Sequence, residues 1–554
     1  MNKKVCSFPI LFALLALLIS TCAVVFPASA QAAPTSTGSI TVSGTVASSY
    51  DAYQIFSANV VDGDSDAKNA TDLAWASDAA RDAVLPVLHS AGMPNSQTTA
   101  QEAAEWLNTD SHLTGALSAQ LARSLQSSGA VFVGLNAGTA AELPCGYWLI
   151  VADDDAIAQN EAGTAPIMAL VGGSAVTVKP KAATPKVAKH VLEDGTAAWQ
   201  KAADATVADD LYWRLSATVP AGLTAYDTYT VRFVDTMSAG LDPSKVAASM
   251  RVYVAAGAEG GFDAVQTGKD GRAGTEPAKG WTDITAQCGV SVDGKTFTVR
   301  TGDLVAALGG ADAFTAGARV VAVYNAPLNS ACNHGIAKGN PNEVYLRYPR
   351  SPFADQSGDA GFTRTPSDDA CAYTWDLALT KRGSDGDKPL AGAVLSIADD
   401  RGRTLAADGT WDAEGKATVT TGEDGRVTVS GVDSGKLEVR ELKAPKGYTA
   451  FEGTRSVTVK AEGLDVDQVA AAKPKLTITA ESPLRADSAD GSTGSLEASL
   501  INTPTGTPPS ITTGGFMPST GDMAMYAAAV AAVAGAALIV VALLVKRGGG
   551  SHKE

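Results

Sequence analysis

Residues 375–381 read Trp-Asp-Leu-Ala-Leu-Thr-Lys, and the period-two alternation that puts Trp375, Leu377 and Leu379 on one face of a strand puts Lys381 there too. The same pattern occurs twice more downstream. Leu437 and Val439 share a face with Glu441, and Leu496, Ala498 and Leu500 share one with Asn502. Three strands of one segment each close an apolar face with a polar residue: an amine, a carboxyl and an amide. Any one of these, taken singly, reads as a strand end whose side chain reaches solvent. Their coincidence in one segment points instead to a shared buried site.

Burial dictates the chemistry of such a trio. An unpaired charge in an apolar interior costs several kcal/mol, so the lysine pKa moves down and the carboxyl pKa moves up. A neutral amine is a nucleophile, and a protonated carboxyl hydrogen-bonds the amide and helps ammonia depart. The expected product is a Lys381–Asn502 isopeptide bond promoted by Glu441. Glu441-Leu442-Lys443-Ala444-Pro445-Lys446-Gly447-Tyr448 resembles the E-box, E-x-x-A-P-x-G-Y, of CnaB-type domains in Gram-positive pilins. That resemblance implies the same crosslink, between the first and last strands.

The segment upstream repeats the pattern with a different acid. Val187, Lys189 and Val191 share parity, as do Tyr229, Val231, Phe233 and Asp235, and as do Asn342, Val344, Leu346 and Tyr348. Phe233-Val234-Asp235-Thr236 and Gly339-Asn340-Pro341-Asn342-Glu343-Val344 resemble the matching stretches of the central domain of two- and three-domain backbone pilins. The resemblance implies a Lys189–Asn342 bond with Asp235 as the acid. Asn340 has the same parity and competes with Asn342. The N-terminal part shows no comparable triplet.

The chain ends supply an address. Lys3 and Lys4, the apolar run from Val5 to Phe26 and Ala28-Ser29-Ala30 read as a secretory signal over residues 1–30. Met523 to Val545 is uncharged for 23 residues and is followed at once by Lys546 and Arg547, which predicts a membrane-spanning helix with a basic cytoplasmic tail. Met517-Pro518-Ser519-Thr520-Gly521 stands just before it. Pentapeptide, apolar span and basic tail together resemble a Gram-positive cell-wall sorting signal, although Met517 takes the place of the usual leucine. This implies transient membrane retention and sortase cleavage between Thr520 and Gly521, with Thr520 passed to an amine. Val178-Lys179-Pro180-Lys181 resembles the V-Y-P-K pilin motif, with Lys179 in place of tyrosine. It implies Lys181 as the accepting amine, with Lys179 as the alternative; both are expected to face solvent.

The expected fold class is mainly β, with tandem immunoglobulin-like sandwiches of the CnaA and CnaB types behind an α+β N-terminal domain. The expected boundaries are 34–180 for the N-terminal domain, 185–350 for the middle sandwich and 372–502 for the C-terminal sandwich. Residues 503–516 read as a Thr/Pro/Gly-rich stalk and 517–554 as the sorting signal. The polar stretch Ser351 to Asp369 reads as an interdomain link. In the N-terminal domain, Leu113, Leu117, Leu121 and Leu125 predict a helix, and Thr98 with Gln101 a capping box ahead of Trp106. A chain of 554 residues, at roughly 150 per domain, has room for this organisation.

Composition excludes several functions. The net charge of −16 offers no field to attract phosphate backbones, so nucleic acid is not an expected partner. Five histidines and no Walker loop, HExxH or Ser/His/Asp motif argue against an enzyme, and no cofactor or metal site is expected. Cys145, Cys288, Cys332 and Cys371 remain once the signal is removed, an even number in an exported chain, which predicts disulfides; Cys288–Cys332 and Cys332–Cys371 are the favoured pairings.

The resemblance to Gram-positive backbone pilins extends over essentially the whole chain. It implies a cell-surface, wall-anchored subunit joined head-to-tail to identical copies. Its implied partners are pilus-specific and housekeeping sortases, minor or tip pilins, peptidoglycan and a host surface ligand. The competing expectation is a wall-anchored adhesin or minor pilin built from the same domains.

Overall fold

The computed structural model describes residues 36–64, 67–109, 111–163, 165–180, 184–264 and 277–506. The signal segment, Lys181, residues 507–516 of the stalk and the sorting signal lie outside the described residues. The architecture is mainly β, with helices concentrated near the N-terminus.

In the N-terminal domain, the long strand Ser49–Asp62 pairs with Lys68–Trp75, Phe132–Asn136 and Gly146–Ala152, and Ile167–Val171 continues the sheet. A smaller sheet sets Thr37–Val42 between Ala140–Pro144 and Val176–Val178. Helices Asp78–Ser90, Ala100–Asn108 and Gly115–Ser127 cover one face. Leu117, Leu121 and Leu125 form the expected buried stripe, but Leu113 precedes the helix cap Thr114 and is 41% exposed. The capping box is one residue later than expected. Thr99 and Glu102 form it, because Glu102 is the residue able to accept both the Thr98 and Thr99 N–H groups.

The middle domain is a sandwich of two sheets. One runs Ala198–Gln200, Lys186–Glu193, Tyr212–Val219, Ala318–Asn325, Arg251–Ala256 and Thr282–Asp283. The other runs Ala202–Asp204, Asp368–Tyr373, Asn340–Pro349, Arg232–Met237, Thr296–Arg300 and Gly289–Asp293. A single apolar cluster fills the space between them.

The C-terminal sandwich sets Arg426–Val432, Trp375–Gly383, Ser495–Pro504 and Tyr448–Thr449 against a sheet whose centre is Val394–Ala398, Gly435–Lys443, Thr454–Glu462 and Lys475–Ala480. Trp375–Gly383 and Ser495–Pro504 run parallel, with Lys381 opposite Leu500 and Gly383 opposite Asn502.

Ser351 to Asp369 is not a free link. Phe362–Arg364 pairs with Asn340–Pro349, Asp359 takes ion pairs from Arg232 and Arg347, and Gln356 bonds Thr228 and Thr230. Its Asp and Ser residues close local turns instead of conferring slack, as where Asp355 accepts from Ser357. Phe353 packs against the helices of the N-terminal domain.

The joint between the sandwiches is equally tight. Asp368–Tyr373 belongs to the middle domain, and Thr374 alone separates it from Trp375–Gly383. Asp204 of the middle domain accepts from Trp375 Nε1 at 2.6 Å and from the Ser434 backbone N–H at 2.9 Å, while Arg401 pairs with Asp209 at 2.9 Å. Glu193, Asp194 and Asp433 gather beside Asp204. Burial first, and Asp204 next, pushes Glu193 up to about 8 and Asp433 well above the ordinary carboxyl value.

Glu193 therefore keeps its proton when folded at pH values where the unfolded chain has lost it. The stability this contributes is full below the ordinary value of 4.5 and is lost as pH rises through about 8. The thermal midpoint is expected to fall between pH 5 and pH 8, and Glu193→Gln to flatten much of that fall. An unaltered pH profile in differential scanning calorimetry of the variant contradicts this account.

Candidate functional site

In the C-terminal sandwich, Lys381, Glu441 and Asn502 arrive from three strands at one enclosed point. Their residues are 0%, 6% and 2% exposed. The Lys381 amine stands 3.4 Å from Glu441 Oε1 and 3.4 Å from the Leu500 carbonyl. Asn502 Nδ2 donates to both Glu441 oxygens, at 2.9 and 3.0 Å, and the Phe451 N–H holds Oε2 at 3.1 Å. One carboxylate thus contacts both the amine and the amide nitrogen. Asn502 Oδ1 has no hydrogen-bond partner among the described residues. Burial lowers the Lys381 pKa to about 8, with Glu441 opposing the shift.

The Pro-Lys-Gly-Tyr half of the octapeptide secures the last strand. Tyr448 and Thr449 pair with Pro504 and Thr503, and the Thr505 N–H donates to the Gly447 carbonyl. The Tyr448 ring lies over Gly383, where a β-carbon would stand 2.7 Å from its hydroxyl oxygen. Glycine opposite Asn502 is therefore what lets the tyrosine clamp approach.

The middle sandwich assembles its trio across the two sheets. Lys189 comes from one sheet; Asp235, on Arg232–Met237, and Asn342, on Asn340–Pro349, come from the other. All three are 0% exposed. The Lys189 amine bonds Asp235 Oδ2 directly, and the amine also lies 5.4 Å from the ring centroids of Trp213 and Tyr324. Burial lowers Lys189 to about 8 and raises Asp235, each offsetting the shift of the other. At pH 7 an amine of pKa about 8 is neutral in roughly one molecule in ten, against a few in ten thousand for an ordinary lysine. Lys201, itself bonded to the Lys189 carbonyl and to Asp368, flanks the site.

Asn340 does not join this trio. It is fully buried, but its amide bonds Asn333 and the Ala372 carbonyl at the far end of the strand, whereas Asn342 Nδ2 lies 2.8 Å from the Tyr324 hydroxyl oxygen. Tyr324 is the member that sequence reasoning missed. Its signal there is only its parity with Val320 and Ala322, which equally describes a core tyrosine.

The disulfide expectation is corrected. Among the described residues, Cys145, Cys288, Cys332 and Cys371 are free thiols, so neither Cys288–Cys332 nor Cys332–Cys371 is formed. Cys145 packs in the N-terminal domain against Ala58 and Leu170, Cys288 and Cys332 border the middle core, and Cys371 sits in the C-terminal cluster. Cys332 Sγ lies 3.5 Å from His334 Nε2, and His334 Nδ1 lies 2.7 Å from Asp376. Burial pushes Cys332 up to about 11, so it is a protonated thiol at neutral pH rather than an activated nucleophile. Of the two acceptor candidates, Lys179 is exposed beside half-buried Val178.

Residues 376–473, which include Lys381 and Glu441, match the family described as SpaA: Prealbumin-like fold domain. A stretch of 143 residues is 30% identical to the trypsin-resistant surface T6 protein of Streptococcus pyogenes serotype M6, covering 24% of each chain. The match thus spans about a quarter of the length of that curated relative. Among solved structures, the T6 backbone pilin of serotype M6 Streptococcus pyogenes aligns over 85% of this chain and 98% of its own, with 16% identity and a TM-score of 0.45. The full-length major pilin SpaD of Corynebacterium diphtheriae aligns over 85% and 98%, with 15% identity and a TM-score of 0.40. In sequence, the chain resembles the prealbumin-like SpaA domains over residues 376–473 and the T6 surface protein over a stretch of 143 residues.

Proposed function

We propose that this chain is the repeating shaft subunit of a covalently polymerised surface pilus, stiffened by one Lys–Asn isopeptide bond in each sandwich. The observation that carries the proposal is the recurrence of a buried lysine, acid and asparagine in two consecutive domains. In each, the amine is poised near neutrality, the acid is in contact with it, and water is excluded. Glu441 and Asp235 promote the bonds Lys381–Asn502 and Lys189–Asn342, and each releases one ammonia.

Polymerisation uses a donor at the C-terminal end of the exported chain and an acceptor at the base of its N-terminal domain. A sortase cleaves Met517-Pro518-Ser519-Thr520-Gly521 after Thr520 and transfers that carboxyl to Lys181 of the next copy. Joining the C-terminal donor of one copy to the acceptor at the base of the next copy's N-terminal domain is a head-to-tail contact that does not close, so a filament grows. The housekeeping sortase then attaches the base to peptidoglycan, and minor or tip pilins and a host ligand complete the assembly. The packed segment Ser351–Asp369 and the one-residue joint at Thr374 suit this role, because pulling force meets no loose tether between the two sandwiches.

Tryptic mass spectrometry of cell-wall material tests the linkage. The expected result is a branched peptide joining Thr520 to Lys181, from a ladder of high-mass species that survives hot detergent. A single monomer-sized band, with Thr520 found only on peptidoglycan, indicates a wall-anchored adhesin instead.

A further inference from the structure

We propose that the Tyr324 hydroxyl is the proton relay of the middle-domain crosslink, a catalytic part that the Glu441 carboxylate plays unaided in the C-terminal domain. The inference rests on the reading of Lys189, Asp235 and Asn342 as an isopeptide-forming trio. One oxygen touches everything that must exchange protons. Tyr324 Oη lies 2.8 Å from Lys189 Nζ, 2.8 Å from Asn342 Nδ2 and 3.1 Å from Asp235 Oδ2. Lys189 and Asn342 donate to it and it donates to Asp235, which uses its single proton and both its lone pairs.

The comparison between the two sites explains why a relay is needed. Glu441 contacts the amine and the departing amide nitrogen with the same carboxylate. Asp235 is one methylene shorter. It bonds Lys189 and Tyr324, and Asn342 Nδ2 has Tyr324 as its hydrogen-bond partner among the described residues. Asp235 Oδ1 and Asn342 Oδ1 are both without hydrogen-bond partners among the described residues. The phenol therefore occupies the gap that a longer acid closes by itself. The Tyr324 ring is locked in an edge-on contact with Phe297, at 4.7 Å between centroids, and is 0% exposed, so its hydroxyl is held in place. Burial keeps its pKa well above the ordinary value, which preserves the hydroxyl as a donor.

The proton inventory closes. Lys189 first gives a proton to Asp235, leaving a neutral amine and a neutral acid. The amine lone pair then forms the bond to Asn342 Cγ. Tyr324 takes a proton from the attacking nitrogen and gives its own to Nδ2, the Cγ–Nδ2 bond breaks, and ammonia leaves. Tyr324 ends as it began, and Asp235 ends protonated, the form that its apolar surroundings favour.

The test follows the Lys189–Asn342 and Lys381–Asn502 crosslinked peptides in the full chain by mass spectrometry at timed intervals after synthesis. Tyr324→Phe keeps the ring and removes the hydroxyl. It is expected to slow the Lys189–Asn342 bond roughly 100-fold, the order of magnitude for loss of a general acid–base, while Lys381–Asn502 forms at the wild-type rate. Adding Asp235→Glu to Tyr324→Phe supplies the longer acid and is expected to recover most of the lost rate. Formation at the wild-type rate in Tyr324→Phe overturns the relay. Absence of a Lys189–Asn342 peptide from the wild type overturns the underlying reading instead.

Discussion

Lys381→Ala is expected to halve the mass deficit of the chain and to give the larger of the two losses in thermal stability argued below. Each isopeptide bond releases one ammonia, so the wild type should weigh about 34 Da less than its sequence mass and the variant about 17 Da less. In the chain-entropy model, a covalent tie closing a loop of about 120 residues removes about 5 kcal/mol of denatured-state freedom. The substitution also removes the fully buried Lys381 stem and leaves a cavity, a defect that costs roughly 2–5 kcal/mol in large-to-small core changes. Together these predict a C-terminal melting transition at least about 15 °C lower. Intact-mass measurement and calorimetry on the same sample check both halves. A deficit that stays at two ammonia molecules places the crosslink elsewhere.

Asp235→Ala is expected to do the same to the middle sandwich and to leave its neighbour intact. Without the acid, Lys189 has no group to take its proton, and Tyr324 loses the acceptor that orients it. The Lys189–Asn342 bond should then be absent, and the middle domain should yield to trypsin under conditions in which the wild type resists. The Lys381–Asn502 peptide should still be recovered, because the two trios lie in separate apolar clusters. Asn340→Ala is the matched control. It disturbs the bonds to Asn333 and Ala372 but should retain the crosslink, whereas Asn342→Ala should abolish it. Retention of the bond in Asn342→Ala and its loss in Asn340→Ala makes Asn340, not Asn342, the partner of Lys189.

Much of this geometry was legible in the primary structure for a local reason. In a two-sheet sandwich every strand has an inward and an outward row, so a polar residue in the inward row is visible without any knowledge of its partners. Lys189, Asp235, Lys381, Glu441 and Asn502 were all found in this way. Tyr324 was not, because a tyrosine in an apolar row is ordinary core composition. The joint was also invisible. Asp204, Trp375 and Ser434 converge only after two domains have docked, and no pattern within any one of their strands announces the contact. Ser351–Asp369 was misread as a link because Gly, Ser and Asp report a chain that turns, whether the turns hang free or are pinned by Arg232 and Arg347.

Alternation along the chain therefore decided which side chains enter each core, since that depends on nothing beyond the pleat of a single strand. Which of them meet was decided by tertiary structure. Asn340 and Asn342 have equal claim by parity and lie roughly 7 Å apart along their strand, at about 3.4 Å per residue. The docking of one sheet on the other brings the second to Tyr324, while the loop before the strand and the neighbouring strand hold the first at Asn333 and Ala372, because a hydrogen bond tolerates an error of a few tenths of an ångström and a repeat of two residues cannot supply that precision.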